Sequence, residues 1–150
     1  MGDKMKHCNF SKAIAHVWGG RVHPQLHGVV KFYQRADGVM IEAVFSGLPE
    51  TESNFFALHI HEGGNCIGDD FPGTGGHYNP SRAEHPRHAG DLPPLLSVKG
   101  NAYLKVLTNR FQLNEVIGRT LVLHGGTDDF HTQPAGNAGT KIGCCVILKI

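Results

Sequence analysis

Apolar and polar residues alternate with a period of two along much of the chain. In "VMIEAVFSGL" (39–48), Val39, Ile41, Ala43 and Phe45 share one face and Glu42 lies on the other. That is the pattern of a half-buried strand, because successive side chains point to opposite faces. "LHGVVKFYQR" (26–35) precedes it, and Ala36-Asp37-Gly38 joins the two, which predicts a β-hairpin. "KAIAHVW" (12–18) alternates more loosely and is broken by Gly19-Gly20. Further strands are predicted at "FFALHIHE" (55–62), "AYLKVLT" (102–108), "RTLVLHG" (119–125) and the closing "KIGCCVILKI" (141–150). No segment carries a long helical period. Short strands separated by turn residues predict one all-β domain over residues 1–150, a sandwich or barrel.

Two stretches break the alternation, one after residue 62 and one over 125–140. The first contains "HYNPSRAEHPRHAGDL" (77–92), which gathers three histidines and two acids on a segment with no local fold. A long structureless loop is unusual inside a compact domain, so something must tie it down. Composition narrows what that could be. A net charge of +1 gives no electrostatic reason to expect nucleic acid or an acidic membrane as partner. No apolar run approaches the ~20 residues of a membrane span. "MGDKMKHCNF" lacks the apolar stretch of a secretory signal. The compartment is therefore cytoplasmic if the chain is complete, and periplasmic or extracellular if a leader was removed. Four cysteines allow at most two bridges and do not select the pairs.

The eleven histidines change the picture most. His59 and His61 sit two apart on a strand, so both imidazoles leave the same face. Alone, such a pair reads as polar residues on a solvent face. Here His124 closes another strand at the mouth of the second loop, and His77, His85, His88 and Asp91 occupy the first. Six histidines and one aspartate exceed the needs of one metal site. A His/carboxylate set without thiolate fits zinc, whereas four nitrogens favour copper. If one histidine uses both ring nitrogens, the seven residues make two four-coordinate sites. A zinc hydrolase would need an open zinc position and a general base.

The motifs "HIHE", "GGHYNPS", "HAGDLPPL", "IGRTLVLH" and "GNAGTKIGCCVI", in this order from about residue 12 to the end, resemble the copper/zinc superoxide dismutase family, in its bacterial type with shortened active-site loops. The resemblance implies an antiparallel Greek-key fold of immunoglobulin-like architecture with two long metal-site loops. It implies copper on His59, His61, His77 and His124, and zinc on His77, His85, His88 and Asp91, with His77 as a bridging imidazolate. Asp128 falls where the family's carboxylate links a copper-side and a zinc-side histidine, by position His59 and His85; the adjacent Asp129 is expected to be solvated. The resemblance also implies a disulfide between Cys66 and Cys144, leaving Cys145 as a packed thiol and Cys8 without a role. His7, His16, His23, His27 and His131 match no ligand position. Superoxide is the implied substrate, redox cycling of copper the implied chemistry, and a homodimer an assembly to consider. The competing reading is a metal-binding module with weak catalysis on the same fold.

Three features depart from the family pattern. Lys141 stands where an arginine usually receives the anion, which keeps the charge but replaces a rigid two-pronged donor with a mobile one. Only Pro86 and Arg87 separate His85 from His88, a shorter link than in relatives. The second loop, "GGTDDFHTQPA", has no lysine, arginine or glutamate to focus the field. Order in the first loop is expected to come from the metal, so that removing zinc loosens residues 77–92 and leaves the sandwich standing.

Overall fold

The computed structural model describes residues 11–150. Its strands are β1 (Lys12–Gly19), β2 (His23–Gln34), β3 (Val39–Ser46), β4 (Phe55–Phe56), β5 (Leu58–His61), β6 (Leu95–Leu96), β7 (Ala102–Thr108), β8 (Thr120–His124), β9 (Lys141–Val146) and β10 (Leu148–Lys149). One antiparallel sheet runs in the order β5-β8-β9-β1-β2-β3-β7 and curls into a half-barrel, with β10 added on β1. β4 and β6 form a small separate pair. Neighbours that are distant in sequence (β5 with β8, β9 with β1, β3 with β7) place this among Greek-key sandwiches and barrels. Among the described residues, no helix is long and apolar enough to cross a membrane.

The alternation becomes burial directly. Val39, Ile41, Ala43 and Phe45 of β3 are at most 1% exposed, and Ala13, Ala15 and Val17 of β1 face them across the concave side. Leu26, Val30 and Phe32 of β2 complete that wall. Each such aliphatic or aromatic side chain contributes roughly 1.5–3 kcal/mol by leaving water.

Four boundaries differ from the pattern. "FFALHIHE" is not one strand: Phe55–Phe56 pairs with Leu95–Leu96, while Leu58–His61 joins β8 in the main sheet. Ala57 stands at the switch, its amide donating to Gly126 O at 3.0 Å and its carbonyl accepting from His124 N at 2.9 Å. The β3 strand stops at Ser46 because Gly47 turns to φ 68°, and a Cβ there would lie 1.9 Å from Gln25 O. The closing run divides at Ile147, whose amide donates to Arg119 O at 2.8 Å. A one-turn helix, α1 (Leu113–Val116), opens with a Gln112–Glu115 capping box and buries Leu113 and Val116.

The feature that matters for the site is the free edge of β5. Its other edge pairs with β8, from Leu58↔Leu123 to His61↔Thr120. Along the open side the first loop comes back and hydrogen-bonds in strand fashion. Ile60 N donates to Gly90 O at 2.8 Å, Tyr78 N to Ile60 O at 2.8 Å and Glu62 N to Gly76 O at 2.9 Å. His61 therefore bridges His77, and His59 bridges Asp91. We predict that Gly90→Ala, whose new Cβ would lie 2.2 Å from Ile60 O, pries the loop from this edge. Loss of one or two buried backbone bonds should lower unfolding stability by roughly 1–3 kcal/mol in urea titration; an unchanged midpoint would show that the loop docks elsewhere.

Candidate metal centre

Leu58 and Ile60 of β5 point into the main core, which leaves His59 and His61 on the convex face. The same parity on β8 sends Leu121 and Leu123 inward and His124 outward. The two loops cover that convex face, and this is why His59, His61, His77, His85, His88 and His124 are all at most 8% exposed although none faces the barrel interior. His124 is swung into place by a register shift between Leu123 and His124.

Hydrogen bonds fix which nitrogen of each ring is free. A carbonyl can only accept, so His61 donates from Nδ1 to Gly75 O at 2.8 Å and His124 from Nδ1 to Gly139 O at 3.3 Å. Both Nε2 lone pairs are left facing each other, 3.1 Å apart. Asp128 takes the Nε2 of His59 at 2.9 Å on one oxygen and the Nε2 of His85 at 2.7 Å on the other. That leaves the Nδ1 of each as the available atom. His77 lies between the two halves: its ring centroid is 4.1 Å from that of His59 and 5.1 Å from that of His88. Its Nδ1 is 2.8 Å from Asp91 Oδ1 and 3.1 Å from His88 Nδ1. Asp91 Oδ2 reaches His85 Nδ1 at 3.0 Å and His88 Nδ1 at 3.3 Å.

Donor atoms thus converge in two groups, His59, His61, His77 and His124, and His77, His85 and Asp91 together with His59. His59 lies within reach of both, but with Nε2 committed to Asp128 it has one nitrogen to give. His88 takes its place beside Asp91 and His77 on the second side. His59 Nδ1, His77 Nε2 and His85 Nδ1 are buried and have no hydrogen-bond partner. Buried polar atoms are rarely left so, and each would cost about 1–3 kcal/mol without a partner. His85 Nδ1 is near Asp91 Oδ2 in distance but not aligned for a hydrogen bond. Aimed lone pairs on neutral imidazoles, with one carboxylate on one side only, fit metal ions and fit little else.

Burial keeps four of these rings neutral. It lowers His61 to about 2 and His124 to about 3, with neighbouring histidines adding to the effect. His59 and His88 are lowered by the same cause. Burial would raise Asp128, but hydrogen bonds from His59, His85 and the Phe130 amide outweigh it and hold the carboxyl well below its usual range. In Asp91 burial is likewise outweighed, by the hydrogen bond from His77 and the fields of the surrounding rings. Gly136 makes the Asp128 arrangement possible: at φ 70° its missing Cβ would lie 2.1 Å from Asp128 Oδ1 and 2.5 Å from His85 Nε2. Asp129 is part of a local turn and accepts from the His131 and Thr132 amides at 2.9 and 2.8 Å.

Lys141 opens β9 opposite His124. Its ammonium is held rather than loose, donating to Thr74 Oγ1 at 2.7 Å and to Phe71 O at 3.4 Å. Thr74 is fully buried and passes its own proton to Phe71 O at 2.9 Å. Partial burial lowers the Lys141 ammonium from its ordinary value, with Asp70 pulling the other way. Cys66 and Cys144 form the disulfide, with Cα atoms 5.8 Å apart across 78 residues of sequence. It fastens the loop bearing Phe71 and Thr74 to the strand bearing Lys141, and packs with Val122 in a small cluster of its own. Cys145, one residue on, faces the main core as a free thiol.

Of the remaining histidines, His16, His27 and His131 are exposed and His23 half-buried, while His7, like Cys8, lies outside the described residues. The supporting groups that sequence reasoning missed are Thr74, Gly136, Arg110, Gln133 and the carbonyls of Gly75 and Gly139. None belongs to a ligand motif, and backbone carbonyls leave no trace in residue identity.

A family model described as copper/zinc superoxide dismutase matches residues 26–147. Two Aquifex aeolicus proteins named Cu-Zn superoxide dismutase 1 and 2 are 38% and 36% identical over 135 residues, covering 80% of this chain and 79% and 78% of theirs. A Cu-Zn superoxide dismutase of Deinococcus radiodurans is 33% identical over 144 residues, covering 82% of this chain and 78% of its own.

The depressed histidines set an acid limit for metal-depleted protein. An unfolded histidine binds its proton near pH 6.5, whereas native His61 and His124 refuse it until about pH 2 and 3. Their contribution is fully present above pH 6.5 and is lost as the pH falls below that value, by roughly 1.4 kcal/mol per unit for each group. Urea midpoints of metal-depleted protein should drop between pH 7.5 and 5.5; a flat profile across that window would contradict the assignment.

Proposed function

The chain belongs to the copper/zinc superoxide dismutase family, and from that premise we propose which of its residues, within one domain, carry the reaction. The protein is a superoxide dismutase: two superoxide anions and two protons yield dioxygen and hydrogen peroxide. Copper and zinc are its cofactors. We assign His59 Nδ1, His61 Nε2, His124 Nε2 and His77 Nε2 to copper, and the Nδ1 atoms of His77, His85 and His88 with an Asp91 oxygen to zinc. The observation carrying this assignment is that the buried nitrogens without a hydrogen-bond partner belong to these histidines and face the two donor groups. Copper supplies the one-electron couple that first oxidises and then reduces superoxide, and zinc supplies a fixed positive charge.

The protein's own groups do the rest. Lys141 draws the anion toward the four-histidine side by its charge, and Thr74 keeps that charge from swinging into solvent. No protein group competes for His77 Nε2, so whenever that atom is not held by the metal it can carry a proton and hand it to the reduced oxygen species. Asp128 keeps the Nε2 protons on His59 and His85, so their Nδ1 lone pairs stay directed inward. The loops keep bulk water from the nitrogens, since all six histidines are buried beneath them.

A homodimer is proposed as the assembly. Trp18, Leu148 and Ile150 are 54%, 57% and 68% exposed. Ile14 pairs with Leu148 and shares the outer face of β1 with Trp18, with the exposed His16 between them, so this face is partly apolar. Sedimentation should give twice the chain mass, falling to one chain in Trp18→Glu.

Metal analysis should find one copper and one zinc per chain, with His61→Ala losing copper and His85→Ala losing zinc. Replacing Lys141 by Met should lower kcat/KM about 10-fold at low salt and flatten its fall with ionic strength, in line with steering gains of ~10–10³. Lys141→Arg should alter both the rate and the salt slope in stopped-flow decay of superoxide. Identical curves for Lys141 and both replacements would remove it from the reaction.

A further inference from the structure

The short link between His85 and His88 is gripped from outside at both ends. Gln133, in the second loop, meets the backbone of His85 as a neighbouring strand would. His85 N donates to Gln133 Oε1 at 2.8 Å, and Gln133 Nε2 donates to His85 O at 2.7 Å. The same Nε2 also reaches His131 O at 3.1 Å, which ties the amide to its own loop. Arg110, two residues beyond β7, donates Nη1 to Pro86 O at 2.6 Å and to His88 O at 3.2 Å. Neither side chain touches an imidazole in these contacts, so the two histidines are fixed through their backbones and no ligand atom is used up.

Local bonds finish the segment. Asn79 and Ala83 exchange two side-chain-to-backbone bonds of 2.9 Å each, and Arg87 N donates to Glu84 O at 2.7 Å. His88 N donates to Asp91 Oδ2 at 3.0 Å. Gln133 and Arg110 are themselves exposed, so replacing them removes a grip without opening the core.

We propose that Gln133 and Arg110 are positioning residues that hold His85 and His88 in place before zinc arrives, so that the protein and not the ion orders this segment. The proposal rests on the reading of His85 and His88 as zinc ligands. A loop that the metal must order spends part of the binding free energy on that ordering, and a loop already held does not. The brevity of the Pro86-Arg87 link is what makes the grip sufficient: a donor at His85, another at Pro86 and a third contact at His88 leave no free span between them. The guanidinium suits the role because it presents several donors in a rigid fork and its bonds to carbonyls are charge-assisted. The expectation that zinc removal loosens this loop first is thereby reversed.

Two measurements on metal-depleted protein test this, neither of them depending on turnover. Amide exchange of residues 83–90 should be protected in the wild type and lose that protection in Gln133→Met and Arg110→Met, with β1, β2 and β3 unchanged. Zinc affinity, by competition against a chelator, should fall ~10–100-fold in each variant, the range seen when groups supporting metal ligands are lost. Copper affinity should stay the same, and Arg110→Lys should recover part of the loss. The proposal is overturned if wild-type residues 83–90 exchange as fast as in the variants, if zinc affinity does not change, or if protection is lost uniformly across the sheet. His85→Ala separates the two readings: unchanged zinc binding there would refute the ligand assignment, whereas lost binding there with unaltered Gln133 and Arg110 variants would refute only the grip.

Discussion

Six imidazoles have been taken out of water together, and everything around them follows from what that removal requires. A buried ring must place its N–H on an acceptor and its lone pair on something that can take it. Here the acceptors are fixed points of the fold: the carbonyls of Gly75 and Gly139 for His61 and His124, and the two oxygens of Asp128 for His59 and His85. Once those bonds are made, the lone pairs have nowhere to face except toward each other. Such a cluster is costly by itself and stable when cations fill it. The sheet supplies the rigidity; the cost is concentrated on its convex face, away from the core that stabilises the molecule.

Asp128 couples the two halves more tightly than the shared His77 alone. One carboxylate spans residues 59 and 85, which belong to a strand and to a loop, and it stands in a third segment whose approach depends on Gly136. A shift in the second loop therefore turns two rings at once. The disulfide plays a parallel role beside Lys141. By joining Cys66 to β9 it sets the Phe71–Thr74 turn against Lys141, so the cation expected to be mobile has a defined position. In the chain-entropy account a closure of this size also stabilises the fold by about 4 kcal/mol.

The sequence displays those properties that depend on side-chain type at a fixed spacing. The buried face of β3 is readable residue by residue because parity decides it. The convergence of His59 and His61 follows from the same rule. Parity fails where a run changes partners, as at Ala57, because nothing in "FFALHIHE" says that its first half belongs to another sheet. Nor could the loop's anchors be anticipated. Arg110 and Gln133 act on backbone carbonyls and an amide, groups that every residue carries, so only the folded chain reveals which of them meet.

An edge strand is an open template, since its unpaired amides and carbonyls can accept a strand from any other molecule. β5 would be such a template, with apolar Leu58 and Ile60 behind it. The returning segment at Gly76, Tyr78 and Gly90 saturates its hydrogen bonds in irregular, proline-interrupted fashion and so cannot be extended in turn. The returning loop is also a cap against fibre-like growth, and whatever detaches it exposes an adhesive edge along with the buried histidines. Loss of metal retention and loss of solubility would then share a single structural origin.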